Sequence, residues 1–483
     1  PASDVCDDTT FLRRVTLDIG GRLPTREDAE AFLADRSGDK RERLIDRLLA
    51  STDYADYFAT KWSAILRNRR RGPTDDPAPT AAFRKWIRDS LAANKPYDRF
   101  VREVLTVTGE EVANPPVVWY RELKDPAAAM EDAAQVFLGQ RLGCAKCHHH
   151  PMEKWSQQDY WGFAAFFTSV DVKDAKPAKK AKDGTMTPAE PTRVMLKSGG
   201  ATVKNPRTKK AVPPTALDAG PLALGADDDP RAKFADWMAD AKNPFFAKAL
   251  VNRYWKHFFG HGLVDPEDDL RVTNPPSNPE LLDALARSFV ESKYDLKRLI
   301  RDICTSRTYQ LSAVPNGANA GDRQNHSRFL ARRLDAEVLL DAIDAVTLSP
   351  SKFKTAPAGL RAVQLPDNLA ESYFLSAFGR PDAASACECE RNNGATLAQA
   401  VHMLNSAEMQ EKLAGPRAKV LAEDSRPHAE RIADLYLTAL ARRPSKAETD
   451  ALVSFVTSKG GTQTAYADVI WVVINGREFL FNH

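Results

Sequence analysis

No run in this sequence approaches the roughly 20 apolar residues that a membrane-spanning helix requires. Nor is there an excess of charge of one sign. Lys and Arg total 68 against 65 Asp and Glu, a net charge of +3 over 483 residues. So small a net charge gives no electrostatic case for nucleic acid as a partner. No phosphate-cradling glycine loop, dinucleotide fingerprint or Ser-His-Asp order stands out. The chain opens directly on Pro1-Ala2-Ser3-Asp4, with no signal-peptide pattern. Cysteine is sparse, with six residues: Cys6, Cys144, Cys147, Cys304, Cys387 and Cys389. What is present is 43% apolar and 28% charged residues, the balance of a globular chain long enough for two or three domains.

Two of the six cysteines fall in Arg141-Leu142-Gly143-Cys144-Ala145-Lys146-Cys147-His148-His149-His150-Pro151. Cys-x-x-Cys-His is the attachment signature of covalent haem c. Thiols three positions apart lie about one helical turn from each other and can reach the two vinyl groups on one porphyrin edge. The residue that follows, His148, then stands where its imidazole can serve as the proximal iron ligand. An Ala-rich helical stretch from Asp125 to Gln140 leads in, Gly143 frees the backbone, and Pro151 stops any continuing helix. Three other readings compete. Half a zinc site lacks its second pair, a thioredoxin-like pair lacks a βαβ setting, and a simple disulfide remains open. Haem attachment takes place outside the cytoplasm, so a periplasmic or otherwise exported location is expected, with a targeting segment removed or left out.

Apolar residues recur at helical spacing on both sides of this motif, and the spacing predicts a mainly α protein. Its expected parts are an N-terminal helical domain over 1–170, a linker with a small β-hairpin over 171–229, and a C-terminal helical domain over 230–483. Thr25 is an expected helix cap with Asp28 three residues on. The hairpin is expected between Thr192–Lys197 and Ala201–Lys204 around Gly199-Gly200. Leu397 to Lys412 reads as one helix, and Val363 to Phe378 as irregular. Tyr160, Trp161, Phe163, Phe166 and Phe167 form an aromatic face, either core or the wall of a haem edge.

Longer motifs lie outside the haem signature. Phe11-Leu12-Arg13-Arg14-Val15-Thr16-Leu17-Asp18 is followed by Gly21-Arg22-Leu23-Pro24-Thr25. Val251-Asn252-Arg253-Tyr254-Trp255 precedes Phe259-Gly260-His261-Gly262-Leu263-Val264. Then come Ser306-Arg307-Thr308-Tyr309-Gln310, Arg333-Leu334-Asp335-Ala336-Glu337, Cys387-Glu388-Cys389-Glu390-Arg391 and Leu404-Asn405. In this order the chain resembles the planctomycete-type cytochrome C-associated proteins, which consist of two paired domains of unknown function, over nearly its whole length. The resemblance implies a haem-bearing, extracytoplasmic protein. It also implies a setting in exported systems that accompany sulfatases and polysaccharide breakdown, and it supplies no reaction.

Several other residues are candidates for chemistry. His150 is read as orienting a propionate, moving protons, binding a second metal, or simply closing a turn. His257, His261, Met403 and His483 are the candidate distal haem ligands, with an empty sixth position as the alternative; His150 and His261 are the candidate catalytic residues. Cys387 and Cys389, both in the family pattern, are expected to share a strained disulfide or a soft metal. Cys6 and Cys304 are free to pair with each other. Arg13, Arg14, Asp18, Arg253, Asp265, Asp268 and Asp269 read as structural charge networks before an anion pocket. The function expected first is an extracytoplasmic c-type haem oxidoreductase acting on a carbohydrate or anionic glycan, served by an electron-transfer partner protein. The alternatives are a haem c electron carrier or binding module without substrate chemistry, and a metal-stabilised structural protein of an exported assembly. In the enzyme reading, the second block covers the haem with His257 or His261 and the Cys387–Arg391 loop.

Overall fold

The structure is a computed structural model and describes residues 1–483 except 181–185, 198–200, 223, 226–227, 355, 386–390, 392–393 and 395. It is mainly α, as the periodicity predicts, with two helical blocks sharing one apolar core. Among the described residues no helix is long and apolar enough to cross a membrane.

The helix that joins the blocks is Asp8–Gly20, capped by the Asp7 carboxylate on the Thr10 amide. Every residue from Phe11 to Gly20 is buried, including Arg13, Arg14 and Asp18. A helix buried on all sides must satisfy its polar side chains internally. Arg13 does so by donating to the carbonyls of Ala439 and Phe479, each at 2.8 Å. Arg14 donates to the carbonyls of Tyr309, Leu311 (2.9 Å) and His483 (3.0 Å). The start of the chain is thus embedded in its last third. The final strand, Phe481–Asn482, pairs antiparallel with Arg332–Arg333 beside it.

Local signals account for many helix boundaries. Thr25 and Asp28 form a complete capping box at the start of Arg26–Ala34. Asn278 caps Pro279–Glu291. The single helix expected over Leu397–Lys412 is two, Leu397–Asn405 and Ala407–Leu413. Ser406 turns the chain between them and its hydroxyl caps the second on the Met409 amide. Within 363–378 there is a short helix, Tyr373–Ala377.

The β element differs from the expected hairpin. Arg193–Leu196 is the middle strand of a three-stranded antiparallel sheet between Gly109–Glu110 and Val170–Lys173. Val203–Lys204 pairs instead with Ala211–Val212. The expected turn residues Gly199-Gly200 lie outside the described residues, and burial of Val194 accounts for the pairing that is seen. Its side chain is buried opposite Val172 in a register that the longer strand supplies.

The aromatic face after the haem signature is core. Phe163 and Phe166 pack on Phe234 at ring separations of 5.0 and 5.2 Å, with Trp237 at 5.8 Å from Phe163. Helix Pro230–Ala239 from the second block provides those partners, so these rings join the blocks. Cys6 and Cys304 are both buried and both free thiols, so the pairing left open by the sequence is not made.

Candidate functional site

The Cys-x-x-Cys-His residues sit on a short 3-10 turn, Gly143–Lys146, and the residues that follow. Ala145 is fully buried and anchors the turn, while Cys144, Cys147 and His148 are exposed. Gln157 holds the turn open from below, donating to the carbonyls of Lys146 (3.0 Å) and Cys147 (3.2 Å). The His148 Nδ1 lies 2.6 Å from the carbonyl of His149. A carbonyl only accepts, so Nδ1 carries the proton and Nε2 keeps its lone pair. That is the tautomer an iron ligand needs, fixed by a hydrogen bond on its far nitrogen. Both thiols are free. Met152 and Val272, 55% and 80% exposed, leave apolar surface beside the motif, Val272 being tied there by the hydrogen bond its amide donates to the Glu153 carboxylate. These residues fit a covalent haem.

The second block reaches this turn through Asp268–Val272. The Leu270 amide donates to the Gly139 carbonyl at 2.8 Å, Gln140 donates to the Leu270 carbonyl at 3.1 Å, and Arg141 pairs with Asp268. Gly139 has φ +64°, a left-handed conformation that favours glycine, and a Cβ there would force the Leu270 side chain, 2.2 Å away, to move. Arg271, paired with Asp269, lies within electrostatic reach of Cys144. Sequence reasoning named Asp268 and Asp269 as structural charges before an anion pocket, and missed Arg271.

His150 is buried and closes a turn. Its amide donates to the Trp155 carbonyl at 2.9 Å and its Nδ1 accepts from the Met152 amide at 3.2 Å. The three histidines among the distal-ligand candidates are engaged with residues outside Cys144–Pro151. His257 bonds the Asp18 carbonyl, and His483 approaches the Phe481 carbonyl. Met403 is buried on helix Leu397–Asn405. His261 stacks on His326, a residue the sequence did not single out, with rings 4.2 Å apart and 2° from parallel. Burial and the charge of His261 push His326 down to about 4, and its Nε2 accepts from Trp255 Nε1 at 3.1 Å. Cys387 and Cys389 lie outside the described residues. Among those that are described, no three His, Cys, Asp or Glu side chains group to hold a second metal.

Other motif residues converge in a cleft of about 460 Å³ where the two blocks meet. Its walls include Asp18 from the first helix, Tyr57 and Lys61 from Thr52–Ile65, and Lys256 and His257 from Phe246–Phe259. Arg332 to Asp335, Arg391 and Asn482 complete them, and no residue of Cys144–Pro151 contributes. The cleft therefore brings His257 and Arg391 together, but not with His150 or the haem signature. Asp335 accepts from Tyr57 Oη and Lys61 Nζ, both at 3.0 Å. Arg391 grips Glu337 through both guanidinium nitrogens, at 2.7 and 3.3 Å, and stands 3.8 Å from Asp335. Asp18 accepts from Tyr309 Oη and Asn482 Nδ2, each at 2.7 Å, and pairs with Arg332.

Two titrations follow from this wiring. Burial, then the charges of Lys61 and Arg332, hold His257 well below the usual histidine range, so it is neutral. Its Nε2, 2.8 Å from the Asp18 carbonyl, carries the proton, which leaves Nδ1 as the ring's acceptor nitrogen. Burial opposes ionisation of Asp335, but Arg391 and Lys61 overcome it and hold the carboxyl far below the usual range. A depressed carboxyl contributes stability above its unfolded value of about 3.9 and loses it as pH falls through the folded value. Asp335→Asn is therefore expected to lower the melting temperature at pH 7. It should also flatten the melting-temperature decline of the wild type below about pH 4. Equal slopes in the two proteins would remove Asp335 from the acid response.

Residues 1–172 match the family PSCyt2, protein of unknown function (DUF1549), and residues 230–456 match the family PSD1, protein of unknown function (DUF1553). No curated protein and no solved structure matches the chain.

Proposed function

The chain belongs to the family of the paired planctomycete cytochrome C-associated domains, and from that membership we propose that it is an exported c-type haem protein that transfers electrons. Cys144 and Cys147 hold the haem as thioethers and His148 ligates its iron through Nε2. The observation that carries this reading is the His148 side chain itself. It is exposed beside two exposed thiols, with its Nδ1 proton already committed to the His149 carbonyl. Haem bound there supplies a one-electron couple.

Electron transfer is favoured over substrate oxidation at the haem by what surrounds the motif. The polar residues expected to roof the haem, His257 and Arg391, line a different cleft. The exposed thiol turn leaves the haem edge to solvent and to a partner protein. An oxidoreductase acting on a carbohydrate or anionic glycan remains the second reading, supported by the existence of that polar cleft.

The test is spectroscopic. Protein matured with haem-attachment machinery should give the pyridine haemochrome of thioether-linked haem and cycle reversibly between reduced and oxidised forms without a glycan. A fully folded product that stays haem-free under those conditions would sink the proposal. Haem-dependent consumption of a glycan would replace electron transfer with the oxidoreductase reading.

A further inference from the structure

The long loop between helices Phe246–Phe259 and Pro279–Glu291 is fixed from within the second block and then reaches across to the Cys-x-x-Cys-His turn. Asn252, fully buried on the first of those helices, pins it. Its side-chain Nδ2 donates to the carbonyls of Val264 (2.8 Å) and Glu267 (3.3 Å), and its Oδ1 accepts from the Val264 amide at 3.0 Å. Three consecutive carboxylates follow, Glu267, Asp268 and Asp269, all buried. Buried carboxylates lose their water and repel one another, so each needs a cation of its own. Lys256 meets Glu267 within the second block, Arg141 comes from the first block to Asp268, and Arg271 turns back onto Asp269 at 2.6 Å.

The residues after this run are tied to the first block on both sides of the thiols. Ahead of Cys144, the Leu270 amide donates to the Gly139 carbonyl and Gln140 donates to the Leu270 carbonyl. Beyond Pro151, the Glu153 carboxylate accepts from the Val272 amide at 2.7 Å. Arg271 is the residue between those two attachments, so the backbone itself delivers it to the motif. Its electrostatic neighbours are Asp269, Glu153 and Cys144. The pair it makes with Asp269 has its positive end outward, the side chains being 30% and 3% exposed. Glu153, the other carboxylate on this side, is half-buried. A guanidinium stays charged at every pH at which a protein is folded. Arg271 therefore neutralises Asp269 and also presents a permanent positive charge beside Cys144.

We infer that Arg271 is a potential-setting residue of the haem site, the second block's fixed charge on a group held by Cys144 and Cys147. The inference rests on the electron-transfer reading above. Reduction adds one electron and removes one unit of positive charge from the iron, so a nearby cation favours the reduced form. Near a protein surface the effective dielectric is about 20 rather than 80, and one fixed charge acts there more strongly than in water. The electron-transfer site is then built by both blocks. The first supplies the thiols and His148, and the second supplies the charge that tunes them.

Redox titration of the haem-loaded full chain, followed by its visible spectrum, tests it. At a fixed solution potential, Arg271→Gln should shift the reduced-to-oxidised ratio about tenfold toward the oxidised form, about 59 mV for a one-electron couple. Arg271→Lys keeps the charge and should recover most of that shift, and the exposed control Arg443→Gln should show none. Arg271→Gln leaves Asp269 buried without its cation, so circular dichroism checks its fold. The double variant Asp269→Asn, Arg271→Gln leaves no charge of this pair behind; it should fold and still lower the potential, by a smaller step. A folded, haem-loaded Arg271→Gln protein or double variant with an unchanged or raised potential overturns the inference. So does an Arg271→Lys protein that titrates like Arg271→Gln. A wild-type chain that takes up no haem is recognised by its mass before any potential is measured. That result removes the electron-transfer reading and this inference together, whereas an unmoved potential in a loaded variant removes this inference alone.

Discussion

Changing Cys144 and Cys147 together to Ala should abolish the covalent haem mass increment while leaving the chain folded. The two thiols are exposed, and the turn that carries them is held by other groups. Ala145 is fully buried, and Gln157 bonds the Lys146 and Cys147 carbonyls. Exposed side chains whose removal leaves no cavity and no unpaired partner change stability by within about 0.5 kcal/mol. Loss of haem without loss of fold is thus the expected signature, read by intact mass and circular dichroism on the same sample. His148→Ala makes a different prediction. The thioethers can still form, so the mass increment persists, but the iron loses its nitrogen ligand and the visible spectrum must change. Persistence of the increment in the double cysteine variant would show that the haem signature has been misread.

The second large effect is expected at Arg14. Its guanidinium lies over the Phe329 ring at 3.7 Å and donates to the buried carbonyls of Tyr309 and Leu311 and to the part-buried carbonyl of His483. Arg14→Met keeps much of the apolar stem but leaves those acceptors without a donor. Each unpaired buried group costs about 1–3 kcal/mol, and water can reach some of them after relaxation. The expected total is roughly 3–5 kcal/mol, as for other broken buried charge contacts. Chemical denaturation should show the midpoint falling with an unchanged slope, since the surface exposed on unfolding is the same. Arg443→Met, at an exposed position, is the control and should shift stability by less than about 0.5 kcal/mol. If both variants behave alike, the first helix is not held by Arg14, and the way the chain's two ends join must be explained by apolar packing alone.

How far each of these sites could be read in advance depended on how local its signal is. The Cys-x-x-Cys-His motif was legible because it is contained in five consecutive residues. The capping box at Thr25 and Asp28 was legible for the same reason. The tautomer of His148 was not, although its partner is the very next residue, because a hydrogen bond to a neighbouring carbonyl depends on backbone angles. Strand pairing failed at Arg193–Leu196, where turn residues pointed to one neighbour and burial of Val194 selected two others. The histidines named together from the sequence point to different neighbours. His257 and His261 are four residues apart, yet one faces Asp18 and Tyr57 and the other stacks on His326.

By itself the sequence determined the helical class, the membership of a paired-domain family and the place of the Cys-x-x-Cys-His motif. All of these are carried by periodicity, capping or short contiguous motifs. Only the tertiary structure decided that Asp18 and Asn482, 464 residues apart, share a hydrogen bond, and that Lys61, His257, Asp335 and Arg391 face one cleft. The physical reason lies in burial. Arg14, Asp18 and Glu337 carry charges into the interior, and each had to find its partner wherever packing of the apolar faces brought one. Spacing along the chain constrains neighbours one turn apart, and it does not constrain a partner on a helix hundreds of residues away.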